Sequence, residues 1–66
     1  MRQLTAREKE IAILVADGFR NKTIATKLNI ADRTVDHYRS RIHAKISGSG
    51  IAMITRYVIK QGWIDP

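Results

Sequence analysis

Residues 30–46, Ile30-Ala31-Asp32-Arg33-Thr34-Val35-Asp36-His37-Tyr38-Arg39-Ser40-Arg41-Ile42-His43-Ala44-Lys45-Ile46, read as one helix with two incompatible faces. An α-helix turns by about 100° per residue. Val35, Ile42 and Ile46 then fall on one side, with Arg39 near its margin, while Arg33, His37, Ser40, Arg41 and Ala44 fall opposite. The first side can anchor in a core. The second carries hydrogen-bonding and cationic groups of the lengths that reach base edges and phosphates in a nucleic-acid groove.

Upstream of this helix the chain looks like its scaffold. Asn21 is a good N-cap for a short helix over 22–28, in which Ile24, Ala25 and Leu28 keep helical spacing. Asn29-Ile30-Ala31 is the break, and the small Ala25 lets the next helix approach closely. Asp32 caps the long helix or sits in its first turn, where its charge suits the positive end of the helix dipole. Two short helices, a tight turn and a longer amphipathic helix make the outline of a helix-turn-helix, which many small helical domains share.

The remaining segments extend the same pattern. Thr5-x-x-Glu8 has the form of a capping box and opens a first helix over 6–17, with Ile11, Leu14 and Val15 as its buried stripe and Asp17-Gly18 as its stop. Capping accounts for Glu8, and Glu10 and Asp17 face water, so none of the three is assigned acid–base chemistry. Ser47-Gly48-Ser49-Gly50 is a flexible joint in which Ser49 would cap a fourth helix over 50–61, stopped by Gly62, with Trp63 and Ile64 folding back over the core. Ile51, Ile54, Thr55 and Val58 form one stripe of this helix, and Met53 and Tyr57, with Ile59, lie beside it. Two readings stand level: Met53 and Tyr57 flank the core, or they meet a partner. The expected fold is all-α, a four-helix bundle containing a helix-turn-helix, with residues 1–66 as one domain.

Composition narrows the function. Sixty-six residues lie near the lower limit for a hydrophobic core without staples and leave little room for a concave catalytic pocket. There is no Cys, and two His without a matching acidic constellation make neither a disulfide framework nor a zinc site. No nucleophile–base pair or Gly-rich phosphate loop is visible, so no enzyme, cofactor or metal is expected. Twelve Lys and Arg against six Asp and Glu give a net charge of +6 and a pI near 10.4, which favours a polyanionic partner. No apolar run approaches the roughly 20 residues of a membrane span, and the amino end lacks a signal peptide's apolar stretch. A cytoplasmic setting fits both observations.

Leu4-Thr5-x-Arg7-Glu8-x-Glu10-Ile11, Ala16-Asp17-Gly18-Phe19, Asn21-Lys22-x-Ile24-Ala25-x-x-Leu28-x-Ile30, Thr34-Val35 and Lys45-Ile46 together resemble the LuxR-type helix-turn-helix, the four-helix DNA-binding domain of the LuxR, GerE, NarL and FixJ family. Each piece alone is weak; their order and spacing over nearly the whole chain is a strong signal. Val35-Asp36-His37-Tyr38-Arg39 is most similar to the FixJ-like response-regulator branch. The resemblance implies a cytoplasmic bacterial transcription regulator whose third helix, 32–46, enters the major groove of double-stranded DNA.

By that resemblance Asp36, His37 and Ser40 face bases, with Arg41 reading guanine or meeting phosphate. Asn21, Lys22, Thr34, Tyr38 and Arg39 become phosphate contacts, and for Arg39 an ion pair with an acidic residue of the first helix is an equal alternative. The resemblance also implies a homodimer on DNA through the fourth helix, with Ile51, Met53, Tyr57 and Lys60 at the interface and Ile54 in the core. RNA polymerase is a further partner, and no small-molecule ligand is implied for this domain. The chain would be either a fragment of a longer regulator or a stand-alone regulator of the compact GerE type.

Five positions depart from the family pattern. Asp36 stands where a basic residue is common, so the base preference must differ from that of members with a basic reader. Tyr38 stands at the usual His, one place after His37. Ala31 replaces a hydroxyl cap, leaving Asp32 to take over or the helix start to fray. Gly48 and Ile51 replace an apolar residue and an Arg, which implies a looser joint and one phosphate contact fewer. Two alternatives share the outline: promoter recognition by a sigma-factor region-4-like module, and a basic helical module that binds an acidic protein. Asn21-Lys22 before Ile24-Ala25, and a fourth helix ending Gly62-Trp63-Ile64, favour the LuxR type over the sigma-factor module.

Overall fold

The computed structural model describes residues 3–48 and 50–64. They form four helices, α1 (Ala6–Ala16), α2 (Asn21–Leu28), α3 (Asp32–Ile46) and α4 (Ile51–Gln61), with no strand among the described residues. α1 packs against α3 and α4, and α2 packs chiefly against α3. At about 1.5 Å per residue, the 15 residues of α3 run roughly 22 Å, most of the molecule's longest dimension of 27 Å.

One core joins all four helices. Ile11, Ala12 and Val15 from α1 meet Ile24 and Ala25 from α2, Val35 and Ile42 from α3, and Ile54 and Val58 from α4. Complete burial of an Ile side chain contributes roughly 1.5–3 kcal/mol, so the four fully buried isoleucines, one per helix, carry much of the driving force. Leu28, Ile46, Trp63 and Ile64 pack around the margin, the last two folding back from Gly62 as expected.

Periodicity misplaced one apolar residue. Leu14 is only half-buried, and Ala12 takes the deep position on α1. Ile51, on the same stripe of α4 as the buried Ile54 and Val58, is 56% exposed because it is the first residue of the helix, at the rim beyond the core.

The helix ends follow local chemistry. Thr5 Oγ1 accepts from the Glu8 N–H, and Glu8 Oε1 accepts from the Thr5 N–H at 2.9 Å, completing the capping box. α1 closes at Ala16 with Asp17 as its C-cap. The N–H groups of Gly18 and Phe19 then bond back to Val15 and Leu14, a Schellman arrangement that needs the left-handed φ of +93° at Gly18. Asn29 and Ser47 adopt the same left-handed conformation without being glycine, at φ 57° and 58°.

Two capping expectations are corrected, for α2 and α4. Arg20, not Asn21, is the N-cap of α2, and Asn21 is its first helical residue. α3 begins at Asp32 after Ala31, so Asp32 takes the second of the two places expected of it, in the first turn, and makes no side-chain cap bond. α4 begins after Gly50 at φ 87°, whereas Ser49 lies outside the described residues. Gly48 contributes to closure of the joint through its lack of a side chain: a Cβ there would lie 2.6 Å from Met53 Cε, so Met53 occupies that space.

Candidate nucleic-acid interface

The two faces read from residues 30–46 exist in α3. Val35 and Ile42 are fully buried, Ile46 and Arg39 are half-buried, and Arg33, Asp36, His37, Ser40, Arg41 and Ala44 are exposed. Seven residues separate Val35 from Ile42, nearly two turns, so burial of both fixes which side of the helix is left outward. His43 turns inward, with a buried Nε2 that has no hydrogen-bond partner among the described residues. It belongs to the packing, not to the outer face.

The amino ends of α2 and α3 flank this face. Neither receives a side-chain cap. The first N–H groups of a helix have no intrahelical partner, and the helix dipole adds positive potential there, so both ends suit an anion. Arg20, Lys22 and Arg33 stand exposed at these ends and form no ion pair among the described residues. Arg20 is absent from the residues singled out in the sequence because Asn21 was assigned the N-cap position that Arg20 occupies. Thr34 is half-buried in the first turn of α3, its N–H bonded to the Ala31 carbonyl.

Three residues expected to touch DNA are hydrogen-bonded to one another. Asn21 Nδ2 donates to Asp36 Oδ1, and Arg39 donates to Asn21 Oδ1 at 2.6 Å. Arg39 therefore makes no ion pair with the first helix; Lys45 makes it. Lys45 Nζ donates to Glu8 Oε1 at 2.7 Å and to the Gln3 carbonyl at 3.2 Å. Glu8 is only 2% exposed. Burial pushes its carboxyl up, but hydrogen bonds from Lys45 and Thr5, together with the Lys45 charge, hold it below its ordinary value. Tyr38 packs against the core, and the Arg41 guanidinium lies 5.7 Å from the centre of its ring.

A second surface lies on α4. Ile46, Met53, Arg56, Tyr57, Ile59 and Lys60 line an open, largely apolar groove of about 520 Å³. Tyr57 meets Trp63 edge to face, with ring centres 5.7 Å apart, and Lys9 Nζ sits 4.7 Å from the Trp63 ring. Ile54 is in the core, as expected, and Met53 and Tyr57 are half-buried and line the groove. Arg56 is a groove residue that the sequence reading passed over.

Residues 2–58 match the family described as "Bacterial regulatory proteins, luxR family". The tetrathionate response regulatory protein TtrR of Salmonella typhimurium is 46% identical over 54 residues, covering 82% of this chain and 26% of TtrR. The C4-dicarboxylate transport transcriptional regulatory protein DctR of Rhodobacter capsulatus is 47% identical over 49 residues, covering 74% of this chain and 25% of DctR. The transcriptional regulatory protein FixJ of Azorhizobium caulinodans is 32% identical over 59 residues, covering 89% of this chain and 28% of FixJ. The chain spans about a quarter of the length of these curated relatives.

Proposed function

From the chain's membership of the luxR family of DNA-binding bacterial regulatory proteins, we propose that residues 1–66 act as one domain that reads duplex DNA by laying α3 in the major groove. The groove is about 12 Å wide and admits a single helix. The observation that carries this reading is the outer face of α3, where Asp36, His37, Ser40 and Arg41 are exposed together while Val35 and Ile42 anchor the opposite side.

Each group then has a role set by its chemistry. His37 and Ser40 offer donors and acceptors to base edges, and Arg41 can present a bidentate fork to guanine. Asp36 repels phosphate and accepts only from a donor such as cytosine N4, so its base preference differs from that of a basic reader. Lys22, Thr34 and the uncapped amino ends of α2 and α3 hold phosphates. Arg20 and Arg33 extend that row. Tyr38 reaches phosphate with its hydroxyl past its half-buried ring. For Asn21 and Arg39 a phosphate contact competes with the bonds they already make.

Two copies pair through α4, with Ile51, Met53, Tyr57 and Lys60 at the contact and the groove between α4 and Ile46 receiving the partner. A two-fold pairing implies a site with two related half-sites. The setting is the cytoplasm, RNA polymerase is a further partner, and the domain performs no catalysis. The family's role as DNA-binding regulators, the row of unpaired cations and the absence of any helix among the described residues long and apolar enough to cross a membrane support this reading.

The test is selection from random duplexes at moderate salt with the wild type and His37→Ala. The expected result is a motif of two related half-sites, changed at specific positions by the substitution. Binding that enriches no motif and disappears as salt rises would reduce the surface to a nonspecific polycation.

A further inference from the structure

We infer that Asn21 is a positioning residue for base readout: its side-chain amide bridges α2 to α3 and sets the Asp36 carboxylate and the Arg39 guanidinium in place on the reading helix. The inference rests on the DNA-reading proposal and changes the role of Asn21 within it, from phosphate contact to determinant of sequence preference.

A primary amide donates at one end and accepts at the other. Asn21 uses both ends across the interface between α2 and α3, donating through Nδ2 to Asp36 Oδ1 and accepting through Oδ1 from Arg39 at 2.6 Å. Only one orientation of the amide serves both partners, since a flip would set N–H against guanidinium and oxygen against carboxylate. The bridge therefore has a defined polarity.

Without it, the two α3 residues have another option. Asp36 and Arg39 are three apart on one helix, a spacing at which an acid and an arginine pair directly. Such a pair would draw the carboxylate along α3 and occupy its acceptors. Tied to Asn21, Asp36 stays exposed with its second oxygen available to a base donor, and the half-buried Arg39 offsets its charge close to the polyanion. Asn21 is the first residue of α2, so the bridge also ties the donor-rich amino end of that helix to the reading face.

The test compares wild type, Asn21→Ala, Asp36→Ala and the double variant. For each, relative affinity is measured for duplexes carrying each base at every motif position, with the salt slope and thermal midpoint alongside. A bridge predicts that both single variants lose about tenfold discrimination at the same position. The double variant loses no more than either single, because the two residues act as one unit. The salt slope stays unchanged, as does the fold by circular dichroism. In the free domain, the Asn21 side-chain amide protons shift in Asp36→Ala.

Uniform weakening on all duplexes, or additive losses in the double variant, would overturn the bridge and return Asn21 to phosphate. So would unmoved Asn21 amide protons, a result that needs no DNA. A wild type that selects no motif would end the DNA-reading proposal and this inference together; a motif unchanged in Asn21→Ala ends the inference alone.

Discussion

Replacing Lys45 with methionine removes the cation that holds Glu8 while keeping an unbranched side chain of similar length. The Glu8 side chain is 3% exposed and that of Lys45 18% exposed, so the variant leaves a carboxylate buried with only the Thr5 groups to serve it. Breaking a buried pair from one side costs about 3–5 kcal/mol, and the partial exposure of Lys45 favours the lower end. A domain of this length has a total stability of roughly 3–10 kcal/mol. The variant should therefore melt about 12–24 °C lower at neutral pH, or already be partly unfolded.

The pH dependence gives the sharper test. In the wild type the folded Glu8 carboxyl lies below its ordinary value of 4.5, so the unfolded chain binds its proton more readily than the folded one. The stabilisation is present above that value and is lost as pH falls through it toward the lower folded value. With Lys45 gone, the burial that raises the Glu8 carboxyl is opposed only by the Thr5 groups, so its folded value moves up and the variant loses less on acidification than the wild type. The gap between the two in urea unfolding should narrow from pH 7 to about pH 3.5. The Glu8→Gln/Lys45→Met double variant should be more stable than Lys45→Met alone at neutral pH, because an amide is cheaper to bury than an unpaired charge. A loss under about 1 kcal/mol that does not change with pH would show the pair to be a solvated surface contact and refute the reasoning.

Two further substitutions probe the surfaces separately. Lys22→Ala should weaken binding to every duplex alike and flatten the dependence of log affinity on log salt by about one unit, measured by fluorescence anisotropy; an effect confined to one sequence would contradict a phosphate contact. Ile51→Glu places a carboxylate at the exposed first position of α4, where the helix dipole favours it, so the fold should keep its thermal midpoint while cooperative occupancy of two half-sites is lost in gel-shift titrations. Two copies that still load cooperatively would move the pairing surface elsewhere.

What was legible in the sequence was local. Thr5 and Glu8 are three residues apart, and their reciprocal bonds follow from spacing alone. Val35 and Ile42 on one face of α3, and Gly18 and Gly62 at helix ends, follow from periodicity and backbone sterics in the same way. The polar ties between helices were not legible: Lys45 lies 37 residues from Glu8, and Arg39 lies 18 from Asn21. Periodicity states which face of a helix turns inward but not which turn of one helix meets which turn of another. Arg39 was thus offered to an acid of α1, although the first turn of α1 meets the last turn of α3, where Lys45 stands. Asn21 was read by its capping preference, a local property, and its amide is used across the interface between α2 and α3 instead.

Those two ties explain how so small a domain can aim a 15-residue helix. Apolar contact is non-directional, so Val35 and Ile42 fix the depth of α3 in the core more firmly than its rotation about its own axis. With side-chain tips about 5–6 Å from that axis, a roll of about 20° moves them by roughly 2 Å. That exceeds the spread of donor–acceptor distances over which a base contact survives. The Lys45–Glu8 pair holds the carboxyl end of α3 to α1, and the Asn21 bridge holds its amino half to α2. Both are directional, and they lie on either side of Ile42. Loss of one leaves the other as a pivot, so Lys45→Met should blur base preference across the motif in proportion to the looseness it introduces. Asn21→Ala, which also releases the Asp36 carboxylate, should act most strongly at the Asp36 position.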